Sequence, residues 1–433
     1  MSTDRSKPLQ ETAPRPTRAF LVGLHTGSVP ADLARELLDE LAELSDTLGV
    51  EVVGEQLVHL REPHPRYLVG SGKADELCAT ARACGAEVII FDDALTPSQQ
   101  RNWEALSDLA VIDRQEVILD IFAARAQTRE AVLQVDLARA TYALPRLRRR
   151  WTHLHRQRGA TGGMGSRGEG EQQLEVDARL VHGRIDRLKE QLDEVQKQRR
   201  VQRQQRQKRP VTVAAIVGYT NTGKSSLLNA LTQAEAFTAN QLFATLDPAV
   251  RRLVLPNHQE LLLVDTVGFI RKLPHQLVEA FKSTLEETLV ADFLIEVVDI
   301  TSRDLEAQRD TTRAVLTEIG AGDKPVLVAL NKVDLITDPL ERRRRQRTCP
   351  EGLLTSARTG EGLPELTQAL CRELEAALHE QLLLVPHDRY AVVTLLRRRS
   401  AILEEAYDEA GIRLRVRVPS DLLAAVAAYV VPA

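Results

Sequence analysis

Between residues 18 and 115, short apolar runs alternate with longer stretches whose apolar residues recur every three or four positions. The runs AFLVGL (19–24), VEVVGEQLV (50–58), AEVIIFDD (86–93) and LAVIDR (109–114) predict strands. PADLARELLDELAELSDTLG (30–49) and KADELCATARACG (73–85) predict amphipathic helices. That alternation predicts an α/β domain with a mostly parallel sheet.

The period then changes. A helix is predicted from about Gln115 to Tyr142, and a second from about Gln172. In the second, Leu174, Ala178, Val181, Ile185, Leu188, Leu192 and Val195 repeat at spacings of four and three. A heptad seam of this kind predicts an antiparallel two-helix hairpin. Between the helices lies GATGGMGSRGEGE (159–171), too rich in glycine to be helical, since each glycine costs about 1 kcal/mol in a helix. The expected tip is a flexible loop (159–170) flanked by Arg148, Arg149, Arg150, Arg156, Arg158 and Arg167.

Strand–helix alternation resumes at Pro210 and runs to about residue 380. Near the C-terminus, RYAVVTLL (389–396) predicts a strand, residues 400–410 a helix, and IRLRVRV (412–418) a second strand. The fold class expected is therefore α/β. It comprises a disordered lead-in (1–17), an α/β domain (18–114), the hairpin (115–209), a doubly wound, mostly parallel domain (210–380) and a small α/β domain (381–433).

Charge sharpens the hairpin's meaning. The net charge of the 433 residues is −4, yet Arg146 to Arg209 carry 18 Lys/Arg against 8 Asp/Glu, or +10. The remainder is then 39 against 53, or −14. A basic block in an acidic protein points to a polyanion such as RNA, against the plainer alternative of a solvated helix face. Similar runs, RRRRQR (342–347) and RRR (397–399), are expected to be a solvated face and a minor addition to an RNA-facing surface. His153 and His155 sit among arginines without further metal ligands. Cys78, Cys84, Cys349 and Cys371 form no CxxC pair, which argues against a zinc site or disulfide framework and fits a reducing compartment. The longest apolar run, Leu422 to Val431, is about half of what a membrane span needs. The expected location is cytoplasmic, in part peripheral to a membrane.

The chemistry sits in TVAAIVGYTNTGKSSLLNAL (212–231), where Gly218, Gly223, Lys224 and Ser225 satisfy GxxxxGK[ST] between an apolar strand and a helical pattern. Backbone N–H groups of Gly218, Tyr219, Thr220, Asn221, Thr222, Gly223, Lys224 and Ser225 are expected to wrap phosphate. Lys224 would meet the β- and γ-phosphates and Ser225 would ligate Mg²⁺. Three further pieces follow in order. LLLVDTVG (261–268) ends a buried strand in Asp265, Thr266, Val267 and Gly268; Asp265 can hold Mg²⁺ through water and the Gly268 N–H can approach the γ-phosphate. PVLVALNKVD (325–334) ends in Asn331, Lys332, Val333 and Asp334, a carboxylate placed to accept two bonds from the guanine edge and so to select GTP over ATP. LLTSARTG (353–360) offers the backbone of Ser356 and Ala357 to the guanine O6. Gly72-Lys73 in RYLVGSGKADE looks like a second P-loop, but Tyr67 and Ala74 occupy the first-glycine and hydroxyl positions.

Taken with LFATLDPAVRRL (242–253), DTVGFIRKLP (265–274), YLVGSGKADEL (67–77) and GGMGSRGEGEQQLEVDARL (162–180), these motifs make residues 18 to about 380 resemble the HflX family of ribosome-associated GTPases. Glu169 replaces the family's usual proline, and Ala249 stands where a threonine is common. The resemblance implies a switch segment of Phe243, Ala244, Thr245, Leu246 and Asp247. In it the Thr245 hydroxyl and carbonyl close over Mg²⁺ and the γ-phosphate in the GTP state, making Lys224, Thr245 and Gly268 the catalytic set. It also implies a monomer whose partner is the 50S subunit, with the 159–170 loop on rRNA, and which splits stalled or idle 70S ribosomes.

One residue breaks the pattern of Ras-type GTPases. Phe269 stands after DxxG, where those enzymes place a glutamine that orients water. Either the ring packs in the core and another group does the work, or hydrolysis is slow until rRNA or a K⁺ ion held by Asn221 completes the site. A regulatory GTP switch that recruits a protein partner without touching RNA is the alternative function. An RNA-remodelling NTPase with a second site in the N-terminal domain is a third.

Overall fold

The computed structural model describes residues 17–27, 29–158, 179–195, 197, 211–233, 242–243, 249–257, 259–272, 287–376 and 378–431. By contact density the chain forms two compact units. One runs to Leu192 and includes Leu242 and Phe243; the other is chiefly the chain from Asp193 onward.

The first unit is built on β1 (Arg18–His25), β2 (Glu51–His59), β3 (Val88–Phe91) and β4 (Ala110–Asp113). All are parallel, in the order β2-β1-β3-β4. Helices α1 (Ala31–Thr47), α2 (Ser71–Ala83) and α3 (Pro97–Ser107) make the crossovers. Phe20, Val22, Ile89, Phe91, Leu77 and Trp103 share one core. Parallel strands flanked by helices are buried on both faces, which is why β1 and β3 read as continuous apolar runs. Helix α3 escaped the sequence reading although its start is marked: Thr96 and Gln99 form a reciprocal capping box and Pro97 opens the first turn.

The helix expected over 115–142 is two. α4 (Arg114–Arg125) ends at Ala126, whose extended backbone breaks the run, and α5 (Arg129–Arg158) begins afresh. Helix α6 (179–195) follows, with Ile185, Leu188 and Leu192 buried on the heptad seam and Val181 and Val195 half-buried. Arg184 on it pairs with Asp136 on α5 at 3.4 Å. Leu174, Ala178 and the 159–170 loop lie outside the described residues. Arg146, first of the basic block, serves the root of the hairpin. It pairs with Asp113 at 3.2 Å, donates to Leu95 O at 3.1 Å and stacks on Tyr142.

The second unit holds a six-stranded sheet of order β10-β9-β8-β5-β7-β6. Its strands are β5 (Thr212–Val217), β6 (Ala249–Val254), β7 (Glu260–Asp265), β8 (Phe293–Asp299), β9 (Val326–Asn331) and β10 (Leu353–Leu354). Only β6, at the edge, is antiparallel to its neighbour. Helix α7 (Lys224–Thr232) follows β5 directly. The RRRR run lies on a helix, Pro339–Gln346, with no buried residue, as a solvated face should.

A separate three-stranded antiparallel sheet, β11 (Leu378–Val385), β13 (Gly411–Pro419) and β12 (Ala401–Asp408), closes the chain. Here two expectations reverse. RYAVVTLL is helical (Tyr390–Arg399), because Val393 and Leu396, one turn apart, are the residues that reach the core. The segment expected as a helix over 400–410 is strand β12. Its Glu404 and Glu405 suit a helix by propensity, but pairing along β13 and ion pairs to Arg415 and Arg397 override that preference. The strand at 412–418 is as expected.

Candidate nucleotide site

The site forms where β5, β7, β8 and β9 end, at the carboxyl edge of the sheet. This is where open parallel sheets bind ligands. Strand β5 delivers the chain into Gly218–Gly223, and α7 starts at Lys224. Gly223 has φ +92°, and a Cβ there would lie 2.4 Å from Asn331 Nδ2, so no side chain fits. The loop is closed internally: Thr222 Oγ1 donates to Tyr219 O at 3.0 Å, and Lys224 Nζ donates to the same carbonyl at 2.6 Å. Burial draws the Lys224 ammonium down to about 8, with Lys332 adding to the shift and the Asp265 carboxylate opposing it. A buried cation at the mouth of a glycine loop is matched to an anion.

Ser225 Oγ donates to Asp265 Oδ2 at 2.6 Å, so two of the three residues expected at Mg²⁺ share one place. A hydroxyl and a carboxylate are hard oxygen donors that fit that ion. Thr266 faces away, its hydroxyl bonded to Ile216 O at 2.7 Å, and Val267 is buried. Gly268 comes close to the P-loop: a Cβ on it would sit 2.7 Å from Lys224 Nζ and 2.9 Å from Thr220 Cα. Lys224 and the Gly268 backbone therefore border one space.

At the base-binding end, Asn331 is a staple. Its Nδ2 donates to Thr222 O at 2.8 Å and its Oδ1 accepts from Ala357 N at 3.0 Å, tying the phosphate loop to the LLTSARTG loop. Ser356 Oγ donates to Asp334 Oδ1 at 2.7 Å, holding the carboxylate that was assigned to guanine. Val333 is buried, with its N–H on Thr355 O. The Lys332 ammonium pairs with Asp299 Oδ2 at 2.7 Å. Asp299 was missed; it ends the apolar run of β8, and a carboxylate at that position was the available signal.

Of the predicted switch residues, Ala244, Thr245, Leu246 and Asp247 lie outside the described residues. Phe243 is a packing group: its buried ring lies 4.5 Å from that of Phe122, and Leu242 N donates to Thr47 Oγ1 at 3.4 Å. Phe269 is buried as well. Its backbone pairs with the P-loop, N–H to Gly218 O at 3.0 Å and carbonyl to Thr220 N–H at 2.8 Å. The ring is core, so the first of the two readings of this residue describes its packing. The second glycine-lysine stretch is no P-loop: Lys73 pairs with Glu76 at 2.6 Å and Tyr67 packs edge-on against Trp103. Among the described residues no group of three or more His, Cys, Asp or Glu is placed to hold a metal. No described helix is long and apolar enough to cross a membrane.

Comparison with known proteins extends the likeness over most of the chain. Residues 35–123 match the family model "GTP-binding GTPase N-terminal", 125–206 "GTP-binding GTPase Middle Region" and 213–332 "50S ribosome-binding GTPase". The GTPase HflX of Akkermansia muciniphila is 46% identical, covering 93% of this chain and 94% of its own. The chain belongs to the HflX GTPase family. The Escherichia coli K12 member is 44% identical over 90% of this chain and 91% of its own. A GTP-binding protein of Sulfolobus solfataricus, solved with GDP, is 25% identical over 82% of this chain and 98% of its own, with a TM-score of 0.44. As an HflX-family member with a P-loop G domain, the protein is a GTP-binding enzyme that hydrolyses GTP, of a ribosome-associated class.

Proposed function

We propose that this protein acts on the large ribosomal subunit, that its GTP state separates stalled or idle 70S ribosomes, and that ribosome-stimulated hydrolysis releases it. The observation that carries the proposal is the buried Phe269 where a water-orienting glutamine would stand, in a chain whose P-loop Ser225 meets Asp265. The family match to a 50S ribosome-binding GTPase supports the choice of partner. In this reading Lys224 and the Gly268 N–H hold the γ-phosphate, and Asp334, Ser356 and Ala357 read guanine. Ser225 and Thr245 hold Mg²⁺, with Asp265 behind a water. The ion supplies positive charge against the phosphates. The 159–170 loop and its flanking arginines contact rRNA, and the protein works as a cytoplasmic monomer.

Phe269 has no group that can orient or deprotonate water, so the chain alone leaves a catalytic contribution missing. Such contributions amount to about 10³–10⁵ in GTPases. K⁺ at Asn221 is one candidate for part of it. Asn221 lies within the P-loop, with φ +59°. Turnover is then expected to be faster in KCl than in NaCl at equal ionic strength, with the difference abolished in Asn221→Ala. Equal rates in the two salts would remove K⁺ from the site.

The splitting step is tested by light scattering of 70S ribosomes mixed with the full chain. Scattering should fall with GTP or a non-hydrolysable analogue and stay level with GDP. No fall with any nucleotide would restrict the protein to binding or remodelling.

A further inference from the structure

A P-loop needs glycines and a lysine; it has no evident need for an aromatic hydroxyl at its second position. Tyr219 nevertheless puts one there, with only 4% of the residue exposed. Its hydroxyl accepts from the backbone N–H of Arg271 at 2.8 Å. Two residues earlier, Phe269 makes the two-bond bridge to Gly218 and Thr220. The Arg271 guanidinium pairs with Asp304, just before the helix Leu305–Glu318, at 2.8 Å. Thus the chain leaving Gly268 is tied to the P-loop at 269 and 271 and to Asp304 at 271. Phe269 and Ile270 are buried beneath it.

We propose that Tyr219 is a positioning residue for GTP: its hydroxyl, through Arg271 and the Phe269 bridge, presets the Gly268 N–H opposite Lys224 before nucleotide arrives. The geometry supports this because Gly268 already lies against Lys224 and Thr220. A backbone donor held in advance loses little freedom when the γ-phosphate binds. GDP lacks that phosphate, so the device discriminates between the two nucleotides. The proposal rests on the reading above that the Gly268 N–H meets the γ-phosphate.

Tyr219→Phe keeps the ring and its packing and removes only the hydroxyl. Affinities of the full-length variant for fluorescent GDP and a fluorescent non-hydrolysable GTP analogue are measured by titration. The analogue is expected to bind about tenfold more weakly, the scale of one lost hydrogen bond to a half-buried donor, while GDP stays within about twofold. A parallel fall for both nucleotides would make Tyr219 a structural P-loop residue and overturn the proposal. So would no change, or a gain for the analogue. Glycine-selective ¹⁵N labelling of the unmutated protein separates the two layers. If the Gly268 resonance moves with the analogue but not with GDP, the γ-phosphate reading stands and the titration judges Tyr219 alone. If it does not move, that reading falls and the proposal falls with it.

Discussion

Asp334→Asn is expected to bind GTP about 10²–10³-fold more weakly and to gain affinity for XTP. The carboxylate is the only group at this position that can accept from both N1–H and the 2-amino group of guanine. Two charge-assisted hydrogen bonds contribute about 1.5–3 kcal/mol each. An asparagine offers one acceptor and one donor, so its amide meets the guanine amino group donor to donor. Xanthine keeps N1–H but carries a carbonyl at C2, which the amide can satisfy. The neighbour of the carboxylate favours a clean result: Ser356 Oγ is 2.7 Å from Asp334 Oδ1, and a hydroxyl can bond an amide as readily as a carboxylate. Asn331, which staples the loops together, is untouched. Competition binding with GTP, XTP and ATP reads the effect. Undiminished GTP binding would remove Asp334 from the base site. Equal loss for GTP and XTP would mean that the substitution disturbs the loop.

Removal of residues 159–170, replaced by a short Gly-Ser link, should abolish 50S-stimulated turnover while leaving basal turnover and GDP affinity unchanged. On the proposal, basal hydrolysis is slow because Phe269, whose side chain is buried and whose backbone is tied to the P-loop, offers no group to orient water. On the proposal, 50S should then raise the rate of the intact chain by about 10² or more, part of the range over which completing groups act in GTPases. On the proposal this glycine-rich segment is the rRNA contact, and it is separated in sequence from the nucleotide motifs, so its loss should remove the one without altering the other. The stimulation should also weaken steeply with salt, because phosphate contacts release counterions. Full stimulation in the deleted protein would sink the rRNA role of the loop. Fast basal turnover indifferent to 50S would favour a GTP switch that recruits a protein partner.

The nucleotide motifs were legible because each is local. A strand end, a glycine turn and a helix start are adjacent in sequence, and the chemistry needs particular atoms at fixed offsets. That is why Lys224, Ser225, Asp265, Asn331 and Asp334 could be named before the fold was known. The C-terminal elements were not legible for the opposite reason. RYAVVTLL is β-branched and apolar, and AILEEAYD is rich in helix formers, so local preference pointed the wrong way in both. Their states are set by Val393 and Leu396 entering a shared core and by the pairing of β12 along β13.

By itself the sequence determined that this is an α/β GTPase, since periodicity and phosphate-loop spacing are properties of the chain. Only the tertiary structure decided what Phe269, Tyr219, Asp299 and Arg146 do. Phe269 could have faced the phosphates; pairing with Gly218 and Thr220 turns it into the core. Tyr219 and Arg271 are 52 residues apart, and Lys332 and Asp299 meet across two neighbouring strands. Such contacts depend on strand order, and strand order is fixed only when the sheet closes its core.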